Sequence, residues 1–127
     1  MAPAANPLDL VARLIAAIEA GDFAAVRSVY APDVIVWAGF DSRERSVDSS
    51  LGVLEWLVGA TTDRRYEIVR RIEIEGGVLQ QHVLHGTAHS GATFSMPACL
   101  IIQVDGDRGL ITRIDEYLDP APVAVLA

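Results

Sequence analysis

The chain has no lysine and a single cysteine, and each shortage closes off a class of explanation. All ten basic residues are arginine, set against seventeen acidic ones for a net charge of −7. A surface that neutralises phosphates needs the opposite balance, so nucleic acid is not an expected partner. Arg64-Arg65 and Arg70-Arg71 form basic pairs, but Glu67, Glu73 and Glu75 interleave with them. Arg64, Arg65 and Arg71 therefore read as a solvated strand face. Cys99 alone cannot form an internal disulfide, which fits a reducing, cytoplasmic setting. No apolar run approaches the roughly 20 residues that span a bilayer, so no membrane is expected. The first seven residues have neither a basic start nor an apolar core, so no signal peptide is expected either. No glycine-rich phosphate loop follows a strand, and no cofactor is anticipated.

What is present is a single domain's worth of apolar sequence: 127 residues, 51% of them hydrophobic. A chain of that length buries roughly two-thirds of its unfolded surface. The ordered core is expected over about 7–118, with 1–6 and 120–127 as tails. The first half reads as helices. Asn6-Pro7 is an N-cap followed by proline at the first helical position. Val11, Leu14, Ile15 and Ile18 then repeat at helical spacing, and Gly21 can close the helix. Asp22 can cap a second helix from Phe23 to about Tyr30, stopped by Ala31-Pro32-Asp33. The β-branched run Val34 to Trp37 predicts a strand. Ser46 can cap a third helix that buries Val47, Leu51, Leu54 and Val58.

The second half reads as strands at about 64–75, 77–89, 92–104 and 110–118, separated by glycine-bearing turns. Helices followed by a meander predict an α+β fold: three N-terminal helices packed on a curved, mainly antiparallel sheet. In 92–104, Phe94, Met96, Ala98, Leu100, Ile102 and Val104 form one apolar face. In 64–75, Tyr66, Ile68, Ile72 and Ile74 do the same, interrupted by Arg70. Strand 77–89 is mixed on both faces. A two-residue Gly76-Gly77 turn would send odd-numbered residues inward beside Ile72, whereas a three-residue bulged loop would send His82 inward.

Glu116 is the residue that needs explaining. In 110–118, successive side chains alternate between sheet faces, so Leu110, Thr112, Ile114, Glu116 and Leu118 share one. That face is apolar except for one carboxylate. Such a group is costly unless paired, and burial raises its pKa. His82 is the expected partner and Arg70 the runner-up. The other face holds Ile111 and Tyr117 and, with Val69, Val83 and Ile101, predicts a homodimer through the outer sheet surface.

The element order and several local motifs are similar to those of the nuclear transport factor 2-like superfamily, most closely its SnoaL-like branch. The residues that carry the resemblance are Ala20-Gly21-Asp22, Tyr30-Ala31-Pro32-Asp33, the run from His82 to Thr87, and the run from Leu110 to Asp119. The resemblance implies a cone-shaped α+β barrel of cystatin-like topology, with an apolar pocket between helices and sheet and commonly a dimer. Relatives include ketosteroid isomerases, polyketide cyclases, limonene-epoxide hydrolases and simple binding modules, so fold alone does not assign an activity. The positions matching the catalytic groups of ketosteroid isomerases are Leu14, Ala38 and Leu100, which carry no such chemistry. Limonene-epoxide hydrolases need an Arg-x-Asp pair where this chain has His82-Val83-Leu84, although Glu116 keeps a carboxylate on the last strand. Their water-orienting groups fall near Val36 and Ala38.

What remains is Glu116 with His82. One could abstract a proton α to a carbonyl while the other donates to the developing oxygen, without a cofactor. The same pair can equally be a hydrogen-bonded contact that closes the core. Around it, Arg70, Gln80, Leu84, Tyr66, Phe94, Met96, Leu100, Ile114 and Trp37 are the pocket candidates for a small, mainly apolar carbonyl compound. Trp37 and Trp56 also read as core or subunit contacts. His82, His85 and His89 are close in sequence, but His82 and His85 point to opposite faces of a strand, so no metal site is expected. Cys99 has no evident activating base. An enzyme needs a cavity of roughly 300 Å3 or more opening beside Glu116. A non-catalytic module would fill that space with Phe94, Met96, Leu54 and Tyr66.

Overall fold

The structure, a computed structural model, describes residues 6–127. The expected tail at 1–6 thus lies almost wholly outside the described residues. Helix α1 (Pro7–Ala20) starts where Asn6 Oδ1 accepts from the Leu8 amide at 2.9 Å, and it stops at Gly21 with φ +70°. Helix α2 (Phe23–Val29) is capped by Asp22, which accepts from the Ala25 amide. Strand β1 (Tyr30–Ala38) follows directly. Ala31-Pro32-Asp33, expected to be a breaker, instead lies within β1, and the register of β1 shifts between Tyr30 and Ile35. A short β2 (Arg43–Arg45) leads to helix α3 (Val47–Ala60), capped by Ser46. The meander is β3 (Thr61–Ile74), β4 (Gly77–Ala88), β5 (Thr93–Asp105) and β6 (Leu110–Leu118).

The six strands form one curved, unclosed sheet in the order β2-β1-β6-β5-β4-β3. Only β1 and β6 pair in parallel. The fold is therefore α+β as expected, with the helices packed on the inner face. Leu10, Val11, Leu14, Ile15 and Ile18 of α1 bury against Val36, Val78, Leu100, Ile102 and Ile114 of the sheet. Arg64 ties the helix ends down: its guanidinium donates to the Glu19 carbonyl at 3.0 Å and to Thr61 Oγ1 at 2.9 Å. The stretch beyond 120, expected as a tail, forms a 3-10 helix, Ala121–Leu126. Its Val123 and Leu126 pack beside Leu57, Leu84 and Phe94.

Two β-bulges decide which side chains face inward. In β3, Ile68 is opposite His82, Arg70 opposite Gln81 and Arg71 opposite Gln80. The extra residue at 69 reverses the alternation, because faces change with every residue in a strand. Tyr66 and Ile68 keep the face of His82, but Ile72 now shares the face of Leu79, and both Ile72 and Ile74 are exposed. The turn is Glu75-Gly76, flanked by the pair Ile74 and Gly77, so neither turn anticipated for this hairpin occurs. His82 nonetheless faces inward and His85 outward. In β6, Val104 is opposite Ile111 and Gln103 opposite Arg113, which leaves Thr112 as the extra residue. Ile111 is consequently buried inside rather than on the outer face where the alternation had placed it.

Phe94 shows how tightly the inner face is packed. A Cβ at Gly86, its cross-strand partner, would come within 2.6 Å of the Phe94 ring. Gly86→Ala should therefore cost about 1–3 kcal/mol, as overpacking does in a filled core. Urea denaturation checks this, and an unchanged midpoint would contradict the placement of the ring.

Candidate functional site

Between α1, α3 and the inner sheet face lies a cavity of about 240 Å3. Leu14, Ile15 and Ile18 of α1 and Leu54 and Leu57 of α3 form one wall, and Leu84, Met96, Leu100 and Ile114 form the opposite one. This is somewhat below the roughly 300 Å3 set as the threshold for an enzyme pocket, yet the space is not filled. Leu54, Tyr66 and Met96 are walls of it. Its mouth is marked by Phe40, Val53 and Trp56, all about half exposed.

The polar groups in the wall are few: Tyr30, Arg45, Ser50, Tyr66, His82 and Glu116. Glu116 is partly buried and lines the cavity. Burial pushes its pKa up from an ordinary 4.5 to about 7, with the Arg45 charge opposing the rise. Desolvation dominates because, among the described residues, no side chain donates a hydrogen bond to the carboxylate. Arg45 is itself held by Asp41 at 3.1 Å. Tyr30 and Tyr66 are both pushed above the usual phenol range, first by burial and then by the Glu116 charge. Their hydroxyls stay protonated at neutral pH. Burial drives the His82 imidazole down to about 4, helped by the Arg71 charge, so the ring is neutral at pH 7.

The expected hydrogen bond between Glu116 and His82 is not formed. His82 Nδ1 lies 2.9 Å from Gln80 Nε2, and Gln80 Oε1 accepts from Arg71 Nε at 2.8 Å. The His82 ring also meets the Tyr66 ring edge to face, with centroids 4.9 Å apart. Gln80 is buried behind His82 and is not part of the cavity wall. Among the other anticipated pocket residues, Leu84, Tyr66, Met96, Leu100 and Ile114 line the cavity. Three do not. Arg70 is exposed because the bulge turns it outward. Phe94 sits over Gly86 in a separate cluster with Leu57 and Leu84. Trp37 alternates onto the outer face, where it packs edge-on against Tyr117 at 5.4 Å, while Val36 and Ala38 point inward.

Sequence reasoning missed Tyr30, Arg45, Ser50 and Arg71. Tyr30 had been read as a helix end and Arg71 as a solvated residue. Ser50 stands three residues after Val47 and four before Leu54, a spacing that could have placed it near the stripe. No three His, Cys, Asp or Glu side chains converge as metal ligands among the described residues. No helix among them is long and apolar enough to cross a membrane.

A family model for the SnoaL-like domain matches residues 11–114. No curated protein matches the chain in sequence. Among solved structures, IdmH of Streptomyces antibioticus, a candidate polyketide cyclase, superposes with a TM-score of 0.82 at 21% identity, covering 95% of this chain and 97% of that one. A Catenulispora acidiphila protein with a ketosteroid isomerase-like fold, bound to trimethylamine, gives 0.78 at 15% identity, over 93% and 91%. An LEH-like epoxide hydrolase of M. tuberculosis gives 0.77 at 19%, over 94% and 87%. At these identities the likeness is one of fold.

The two titrating groups make a pH prediction with opposite signs. Folded Glu116 holds its proton up to about 7 while the unfolded chain releases it near 4.5, so its contribution to stability is full at low pH and lost as pH rises between those values. Unfolded His82 charges near 6.5 but the folded one only near 4, so its contribution is full above 6.5 and lost as pH falls toward 4. The slopes oppose each other, and wild-type stability should be nearly flat between pH 4.5 and 6.5. Glu116→Gln removes one of them, so stability of the variant should rise with pH across that window. Above pH 7 the variant should be at least as stable as the wild type. Urea denaturation at pH 5 and pH 8 tests this, and a variant clearly weaker at pH 8 would mean that the carboxylate has a stabilising partner.

Proposed function

The chain belongs to the SnoaL-like domain family, and from that premise we propose that it binds a small, mainly apolar carbonyl compound and acts on it as a cofactor-independent acid/base enzyme. One observation carries the reading: a carboxyl that titrates at about 7 stands in an apolar cavity whose other uncharged polar groups can all donate hydrogen bonds. A general base works best when its pKa lies near the working pH. His82, at about 4, is too weak a base for that part at neutral pH, so the roles divide. Glu116 takes a proton from carbon α to the carbonyl. His82 and the Tyr30 and Tyr66 hydroxyls are the donors available to the oxygen as it becomes an enolate. Where the enolate is conjugated with a further double bond, the proton on Glu116 returns to the far carbon of that system, giving isomerisation. Alternatively, the enolate carbon attacks a second carbonyl and the proton goes to the new hydroxyl, giving an aldol-type cyclisation. The polyketide cyclase assignment of IdmH, of the same fold, supports this class of reaction. An epoxide hydrolase is less well supported, because His82-Val83-Leu84 lacks the Arg-x-Asp pair.

A second reading, a non-catalytic ligand-binding or dimerisation module, draws on the modest cavity volume and on the lack of a base hydrogen-bonded to Glu116. The two part on one experiment. A panel of 1,3-diketones and cyclic ketones is screened by the rise in melting temperature, and hits are assayed for turnover and for loss of their α-proton to solvent deuterium. The enzyme reading expects exchange or turnover that falls roughly 100-fold or more in Glu116→Gln, the usual scale for a general base. Binding with no exchange, unchanged in the variant, would favour the module.

The outer sheet face supports a homodimer, since Tyr117 is exposed there and Val83 and Ile101 are only partly covered. Light scattering at micromolar concentration should return twice the chain mass of 13.6 kDa, and a monomer throughout would refute it.

A further inference from the structure

Gln80 is a fully buried amide on the inner face of β4, and both of its ends are engaged. A guanidinium only donates hydrogen bonds, so the end of Gln80 facing Arg71 Nε at 2.8 Å must be the carbonyl oxygen. The end facing His82 is then the amide nitrogen, which has hydrogens to give and no free lone pair. His82 Nδ1, 2.9 Å away, must accept. A neutral imidazole that accepts at Nδ1 carries its hydrogen at Nε2.

We propose that Arg71 and Gln80 are positioning residues that lock His82 as its Nε2–H tautomer, so that the ring presents a donor, not a lone pair, to the cavity. The direction of the whole chain is set at its far end. Arg71 cannot accept, so Gln80 cannot turn over, so His82 cannot exchange tautomers without losing a bond. The β3 bulge makes this possible, because it alone brings Arg71 to the face of Gln80. Without it, Arg71 would point outward and the amide would be free to flip. Ile68 and Ala98 are the cross-strand neighbours of His82 and Tyr66 meets it with its ring, so among the described residues the Gln80 amide is the side-chain hydrogen-bond partner its ring has. The consequence for chemistry rests on the acid/base reading above, since a donor at this position suits an oxygen gaining charge. The tautomer itself does not depend on that reading.

Long-range nitrogen–proton correlation spectra of the uniformly 15N-labelled full chain at pH 7 test the proposal. The chain has three histidines, and loss of one pattern in His82→Gln assigns its signals. In the wild type, His82 should show an unprotonated Nδ1 and a protonated Nε2. Arg71→Met should release the amide and give a mixture of tautomers. Gln80→Glu offers Nδ1 a carboxylate acceptor, and should move the hydrogen to Nδ1 or protonate both nitrogens. A wild-type ring protonated at Nδ1 overturns the proposal, as does an Arg71→Met spectrum identical to the wild type. Should Gln80→Glu not fold, Arg71→Met decides alone, since Arg71 is only half-buried. The expected tautomers in a protein that binds nothing in the carbonyl panel would sink the enzyme reading and leave this one standing.

Discussion

A carboxyl group removed from water must find hydrogen-bond donors, find a cation or keep its proton, and in this fold Glu116 is left mainly with the third choice. The inner face of β6 places it among Ile114, Leu118 and Leu100, and the charge that bears on it is that of Arg45, itself paired with Asp41, two strands away in the same sheet. The difference between 4.5 and about 7 corresponds to about 3 kcal/mol at most. Leucine or glutamine at the position would be free of that penalty. The remaining polar groups in the wall make sense around it. Two phenols kept protonated by the same desolvation, and an imidazole kept neutral, are all able to donate where the carboxyl can accept.

The cavity exists because the sheet curves and the helices do not close over it. α1 and α3 supply aliphatic walls, and the 3-10 helix at the C-terminus adds Val123 and Leu126 to the packing beneath Leu57 and Phe94. The ring of Phe94 over Gly86 takes that residue out of the cavity, which leaves the space that a filled core would have lacked. The half-exposed Phe40, Val53 and Trp56 at the mouth keep the apolar surface continuous from cavity to solvent.

Most of the helical half was legible in the sequence because its signals are local. Asn6, Asp22 and Ser46 each cap the helix they precede, and Gly21 takes the left-handed conformation its position required. Strand β5 was legible for a related reason: its even-numbered residues are apolar throughout, so its alternation has one solution. Strands β3 and β6 were not, because each contains a bulge. A bulge inserts one residue and reverses every face beyond it, yet it leaves no compositional mark. The bulge in β3 moved Arg70 out and Arg71 in and exposed Ile72, and the one in β6 buried Ile111. The inward face of His82 had been left open between two turns, neither of which forms, while that of Glu116 was legible because the bulge at Thr112 reassigns only the residues before it. Their bond to each other was not, because the sequence offered no way to see that Arg71 would reach Gln80 first.

The protonation of Glu116 is the property on which the chemistry of the cavity depends. Carbon-detected titration of the Glu116 side-chain carboxyl, assigned by its loss in Glu116→Gln, measures that directly in the folded chain. A midpoint near 7 is the predicted result, separated from the other carboxyls. A midpoint below 5, among the rest, would mean that the carboxylate is solvated or paired, and would contradict the account.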